Sequence, residues 1–237
     1  MHILRCSGVQ WGRLKFCRFM SSKSKRIIAS DILQRRKYDF IKKIEKISEK
    51  QKLWKEEGTL AGVLVPFCVV DCKPSILLTK RSSKIIRNKS DVCFPGGKMD
   101  KGVDNTIIDT ALRETNEEIG LSTCDVEVWL ATKPIAASYD ETISVVPVFG
   151  YIHNVDISTL TINKNEVESV FTVALEDLCD VAQQAHTKFK SGTVLPLFYQ
   201  HPYKIWGFTA VIMDFCLANL LPDFYTLRFV SSRKQKQ

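Results

Sequence analysis

The sequence predicts one mixed α/β domain over about residues 59–222. Three observations lead there. Short β-branched apolar runs alternate with stretches whose apolar residues recur at helical spacing. Gly and Pro punctuate the junctions between them. No internal repeat is present, so the chain is not a solenoid or a propeller.

Residues 31–58 carry Ile32, Leu33, Phe40, Ile41, Ile44 and Ile47 among Lys, Arg, Asp and Glu, which predicts a leading helix with one solvated face. Thr59–Val70 is an apolar run that ends near Asp71 and Pro74, and Ile76-Leu77-Leu78-Thr79 follows it, so the pair reads as a hairpin. Phe94-Pro95-Gly96-Gly97 breaks regular structure into a loop. Asp104 or Asn105 can cap a helix through Ile107, Ile108, Ala111, Leu112 and Ile119, with Gly120 as its stop. Strands are expected at 126–131, 144–152 and 167–173, a short helix at 175–179, and a strand at 203–208 that leads into an apolar helix through Leu221.

The composition fits this plan: 237 residues, 45% hydrophobic, 10% aromatic and 25% charged, with 11 Gly and 8 Pro. Such a chain buries a core and excludes collagen-like or low-complexity disorder. No apolar run is long enough to span a membrane; the best stretch, 207–221, is interrupted by Asp214. The net charge of +8 is concentrated in residues 1–30, which hold seven Lys and Arg and no acid, while the rest of the chain is nearly balanced. A nucleic-acid groove needs its basic excess on the folded surface, so no nucleic-acid partner is expected. Arg, Lys and Ser richness without acids is the composition of a mitochondrial import segment, so residues 1–30 are read as a targeting segment. The competing reading is a basic tail on a cytoplasmic protein, with translation starting at Met20. The eight cysteines form no Cys-x-x-Cys pair and the four histidines no metal-binding pair, so the cysteines are expected as thiols in or near the core.

The chemistry concentrates in Arg113-Glu114-Thr115-Asn116-Glu117-Glu118-Ile119-Gly120-Leu121. On a helix Glu114 stands one turn from both Glu117 and Glu118, so the three carboxylates fall on one side. They also occupy the last turn, where the helix dipole favours cations. A divalent cation resolves the conflict, since hard Mg²⁺ or Mn²⁺ prefers carboxylate oxygens. The competing reading is a solvated acidic helix end.

With Gly96-Gly97 ahead of it, this segment resembles the Nudix box, usually written G-x5-E-x7-R-E-U-x-E-E-x-G-U with U aliphatic. The likeness extends toward the coenzyme A diphosphatase branch through Leu77-Leu78-Thr79-Lys80-Arg81-Ser82 and Phe94-Pro95-Gly96-Gly97. Val145-Val146-Pro147-Val148, the 166–171 stretch and Ile205-Trp206-Gly207-Phe208-Thr209-Ala210 add to it. The resemblance implies an α/β/α sandwich with a mixed sheet and hydrolysis of a nucleoside diphosphate derivative, a small-molecule substrate, with Mg²⁺ or Mn²⁺. It implies Glu114, Glu117 and Glu118 as metal ligands, Arg113 as the residue that orients a glutamate, and the Gly96-Gly97 backbone close to metal or phosphate. In this branch the substrate is coenzyme A, cut to 3′,5′-ADP and 4′-phosphopantetheine or its acyl form. The other readings are ADP-ribose or dinucleotide hydrolysis, and a non-catalytic nucleotide-binding module.

Several positions depart from the motif. From Gly97 to Arg113 the spacing exceeds the box by two residues, and Asn105 falls where its first glutamate belongs; Asp100 or Asp104 can take that role. Ile86 and Ser90 replace Arg and Gly of the branch signature, and Thr115 fills an aliphatic slot. Arg81, Lys84 and Arg87, with Lys80 and Lys89, are candidates for the substrate phosphates, against a solvated basic loop. Glu141, Glu166 and Glu168 are candidate loop bases, and Trp206 and Phe208 either line a substrate pocket or belong to the core. Residues 224–237 are expected as a basic tail.

Overall fold

The computed structural model describes residues 22–50, 58–86, 88–137, 140–189 and 192–226, with 22–30, 136–137 and 140–142 described in backbone alone. A long helix, α1 (Ser22–Lys50), precedes the hairpin of β1 (Thr59–Val70) and β2 (Lys73–Arg81). Two short strands, β3 (Val92–Cys93) and β4 (Gly96–Lys98), lead into α2 (Ile107–Ile119). Then come β5 (Val126–Ala131), β6 (Ile135–Ala137), β7 (Asp140–Ile152), β8 (Val167–Ala174) and the single turn α3 (Leu175–Leu178). The remaining elements are β9 (Gln184–Lys188), β10 (Val194–Gln200), β11 (Tyr203–Ile205) and α4 (Gly207–Leu220).

The main sheet is mixed. Its order is β3-β2-β1-β7-β5, with β8 on β2, β4 on β1 and β6 on β7; only β1 and β7 run parallel. Asp71 and Cys72, both at positive φ (48° and 62°), close the β1–β2 hairpin, the geometry that two-residue hairpin turns require. β1 is apolar on both faces because helices cover both. Leu64 and Cys68 join Ala111, Ile119 and Val148 under α2. Val65, Phe67 and Val69 turn the other way, toward α1 and α4. The molecule is therefore the α/β/α sandwich that the sequence implies.

Pro66 sits inside β1, where a missing N–H ordinarily breaks a ladder. Here it does not. β1 pairs with β4 through Ala61, Gly62 and Val63, and with β2 only from Phe67 onward. Leu64 N–H donates to Pro95 O on that edge (2.9 Å), so by alternation the Pro66 nitrogen faces the gap between the two partners. The same switch of partner brings Gly97 opposite Gly62, beneath α2.

Several elements differ from their sequence reading. The leading helix starts at Ser22 rather than residue 31, and residues 51–57 lie outside the described ones. Thr106, not Asp104 or Asn105, caps α2: its hydroxyl accepts from Asp109 N–H (3.2 Å), and the Asp109 carboxylate accepts from Thr106 N–H (2.8 Å). This reciprocal pair is a capping box with Asp in place of Glu. β11 stops at Ile205, and Phe208 lies in the first turn of α4. Gly96-Gly97 is a paired strand rather than a loop. A second sheet of order β11-β10-β9 was not expected beyond its last strand. The folded chain also runs past residue 223: Tyr225 is buried and donates to Asp214 Oδ1 (2.6 Å). No helix among the described residues is long and apolar enough to cross a membrane.

α1 is part of the core, not an appendage. Leu33, Phe40 and Ile44 are fully buried, and the Phe40 ring meets Phe149 edge-on at 5.0 Å and Phe67 at 6.5 Å. Lys37 bonds to Glu127 on β5, which Gln34 also reaches (2.9 Å). Truncating Phe40 to Ala empties an aromatic volume on the sheet face and should cost about 3–5 kcal/mol. Urea unfolding of the full chain reads this as a lower transition midpoint with an unchanged slope.

Candidate active site

α2 ends without a basic residue in its last turn and stops at Gly120 in the left-handed conformation (φ 70°). The 160–166 loop packs against that end, where Asn163 N–H takes the Glu118 carbonyl (2.9 Å). The helix thus points an acidic C-terminal turn at β4.

Arg113 is the hub of the polar side. Its Nε and Nη2 grip Asp104 from two directions (2.8 and 2.9 Å), while Nη1 reaches Glu114 and Glu117 (3.0 Å each) and Nη2 also reaches the Lys98 carbonyl (3.3 Å). Asp104 is buried and accepts further bonds from Asp100 N–H and Thr110 Oγ1 (2.9 Å each). The guanidinium beside it holds its carboxyl well below the ordinary carboxylate range, and Asp104 in turn raises Arg113. Of Asp100 and Asp104, it is Asp104 that meets Arg113, one residue before the position found by strict counting.

Glu114 and Glu118 lie against the Gly96-Gly97 strand. Gly96 N–H donates to Glu118 Oε2 (3.2 Å). A Cβ on Gly97 would stand 2.3 Å from Glu114 Oε2, so only glycine leaves room for that carboxylate. Glu118 is 3% exposed. Burial pushes its carboxyl up to about 7, and the charges of Glu166 and Glu114 act in the same direction against Gly96 and Arg81. Burial also raises Glu114. Glu117 stays half-exposed beside Arg113. The structure therefore gathers Glu114 and Glu118 at the strand and leaves Glu117 at the edge. Among the described residues, no three Asp, Glu, His or Cys side chains converge closely enough to hold a metal ion as they stand.

The family model described as "NUDIX domain" matches residues 61–197, more than half the chain. The chain belongs to the NUDIX family. Its relatives include the protein named "Mitochondrial coenzyme A diphosphatase NUDT8" from Mus musculus, 42% identical over 171 residues, covering 70% of this chain and 80% of that one. The Homo sapiens protein of the same name is 41% identical over 174 residues, covering 71% and 72%. "Peroxisomal coenzyme A diphosphatase NUDT7" from Mus musculus is 41% identical over 116 residues, covering 48% and 47%.

The donor set of this Nudix site fits a divalent cation. Glu114 and Glu118 supply hard oxygens, and the Glu118 carboxylate is buried with only one backbone hydrogen bond to offset its charge. Of the loop acids, Glu166 acts on both glutamates through its charge. Glu168 is tied to Lys80 (2.6 Å), and the Glu141 side chain lies outside the described residues. Among the candidate cations, Arg81 acts on Glu118 and keeps a buried Nε with no hydrogen-bond partner. Lys84 stands exposed in the loop after β2, and Arg87 lies outside the described residues.

A cavity of about 510 Å³ opens next to Gly96 and Arg81. Trp206 and Phe208 line it, with Leu195 of β10 and Phe189 just past the end of β9. The last two were missed because β9 and β10 were not read as strands. The apolar run of β10 was the available signal.

Glu118 also makes a stability test. A folded-state pKa above the unfolded one means that the native state holds its proton more tightly. Its stabilising contribution is present below the ordinary carboxylate range and is lost as pH rises through about 7. In chelator-treated protein, Glu118→Gln should therefore melt at a higher temperature than wild type at pH 8, with little difference at pH 4. Added Mn²⁺ should raise the wild-type melting temperature and leave the variant's nearly unmoved.

Proposed function

We propose that this Nudix hydrolase cleaves the diphosphate of coenzyme A or a derivative, giving 3′,5′-ADP and 4′-phosphopantetheine or its acyl form. The observation that carries the hydrolytic reading is the Glu114–Glu118 pair set against Gly96-Gly97, with Gly96 also lining the cavity. The substrate rests on the two relatives more than 40% identical over about 70% of this chain, both named coenzyme A diphosphatases.

Glu114 and Glu118, with Glu117 beside them, would hold Mg²⁺ or Mn²⁺, which offsets diphosphate charge and makes water easier to deprotonate. The rest is the work of the chain. Arg113 holds Glu114 and Glu117 in place from a guanidinium fixed by Asp104. Arg81, which lines the cavity and acts on Glu118, is the cation that would meet a phosphate oxygen. Of the loop acids, Glu166, whose charge acts on Glu114 and Glu118, is the one that would accept a proton from attacking water. Hydrolysis of another nucleoside diphosphate derivative is favoured by one observation: Ile86, in the branch signature's Arg position, is almost fully exposed and brings no charge to a 3′-phosphate.

Residues 1–30 and the relatives named mitochondrial support import into mitochondria. N-terminal sequencing of protein recovered from mitochondria should then find a chain starting downstream of Met1; recovery of intact Met1 argues against a cleaved segment.

Purified protein given coenzyme A and Mn²⁺ should release 3′,5′-ADP and 4′-phosphopantetheine, and kcat/KM for coenzyme A should exceed that for ADP-ribose and dinucleotides. Glu118→Gln should lower kcat by about 10²-fold or more with KM little changed. A panel in which ADP-ribose ranks first would transfer the assignment to the alternative.

A further inference from the structure

The cavity beside Gly96 has a chemistry of its own. It meets the carboxylate site at Gly96, whose N–H holds Glu118, and at Arg81, whose charge acts on Glu118. Val63 and Val145 of the main sheet, Leu195 of β10 with Phe189 just past β9, and Phe208 and Ile212 of α4 supply its apolar lining. Among the described residues that line it, the only charged side chains are Arg81 and Asp91. Arg81 lies at the catalytic end. Asp91 sits beside it, its carbonyl accepting from Arg81 N–H (2.9 Å), and its carboxylate accepts from Trp206 Nε1 (3.2 Å), which fixes the indole at the rim. Trp206 and Phe189 remain 40% and 39% exposed there, large apolar surfaces that the protein's own core does not cover.

A coenzyme A molecule straddling the carboxylate site must send two unlike halves in opposite directions. The nucleotide half carries a 3′-phosphate, and this cavity would meet it with a carboxylate and a single guanidinium already next to the diphosphate. The other half is an uncharged chain of methylenes and two amides ending in a thiol or thioester. Apolar walls with few polar groups suit that half, because they remove methylene surface from water without stranding a charge.

We propose that the cavity seats the uncharged pantetheine arm and any acyl group on it, and that Phe189 and Leu195 are the residues that set how much acyl chain is accepted. This deepens the coenzyme A reading and rests on it. The nucleotide half then leaves the carboxylate site on the side away from α4.

The test uses pantetheine itself, which has no phosphate and no nucleotide, titrated calorimetrically into the full chain. Leu195→Trp fills the cavity, and Phe189→Asp puts a carboxylate on its exposed rim, where folding is least affected; thermal melting checks both. The expected result is wild-type binding that weakens at least tenfold in both variants. KM for coenzyme A and for acyl derivatives should rise by a similar factor, while kcat/KM for ADP-ribose, which lacks the arm, stays the same. No pantetheine binding to wild type, or equal binding to wild type and to folded variants, overturns the proposal. Pantetheine binding lost in the variants, in a protein that does not hydrolyse coenzyme A, would remove the diphosphatase reading and leave the cavity's ligand chemistry standing.

Discussion

A carboxylate buried under a helix end is the constraint around which the rest is arranged. Glu118 is almost inaccessible, with the Gly96 amide as its hydrogen-bond donor and two further acids near enough to raise its proton affinity. An isolated domain gains nothing from such a group. Water solvates a carboxylate far better than one backbone amide does, and the end of a helix adds its negative pole. The local fold maintains the arrangement through β4, which Gly62 pairing fixes under α2, and through the 160–166 loop, which holds the Glu118 carbonyl. The site is thus a stored electrostatic conflict of the kind that a hard cation would relieve.

Arg113 shows how that conflict is contained. Its guanidinium does not reach the buried Glu118 at Gly96 and meets Glu114 with one nitrogen. It is committed to Asp104 by two hydrogen bonds and reaches Glu114 and Glu117 only with the nitrogen left over. Asp104 is itself locked by Asp100 and Thr110. Fixing the cation by a non-catalytic acid leaves Glu114 oriented without fully cancelling its charge, which metal binding requires. Were Arg113 to pair fully with Glu114 or Glu118, the cation would have less to bind.

What the sequence made legible follows from how local each feature is. The acidic face of α2 is set by three- and four-residue spacing, so Glu114, Glu117 and Glu118 could be placed on one side before any fold was known. The paired β1–β2 run and the mixed α/β class were legible for the same reason, since apolar periodicity is written in consecutive residues; the α/β/α layering came from the family resemblance. The partner of Arg113 was harder, because a two-residue insertion shifts the count and only the turn at 100–104 decides between two aspartates. The cap was misplaced because Asp104, a good capping residue in isolation, is taken by Arg113, leaving Thr106 to form the box with Asp109. Even the convergence of the three glutamates was only partly readable, since helical spacing cannot say that Arg113 draws Glu117 toward solvent.

The cavity was legible only in Trp206 and Phe208, and the reason separates it from the carboxylates. Its walls come from β1, β7, the second sheet and α4, segments up to about 150 residues apart in the chain that share no periodic signal. Trp206 and Phe208 were visible as aromatics, yet nothing in sequence distinguished a pocket wall from a core. Glu114, Glu118 and the Gly96-Gly97 backbone lie on one helix and one strand, where spacing must be kept. The cavity lining is assembled at long range, where a residue such as Leu195 can change without disturbing Glu114 or Glu118. If the cavity seats an uncharged arm, that separation would let the carboxylate site stay fixed while the second sheet and α4 set which group lies beside it.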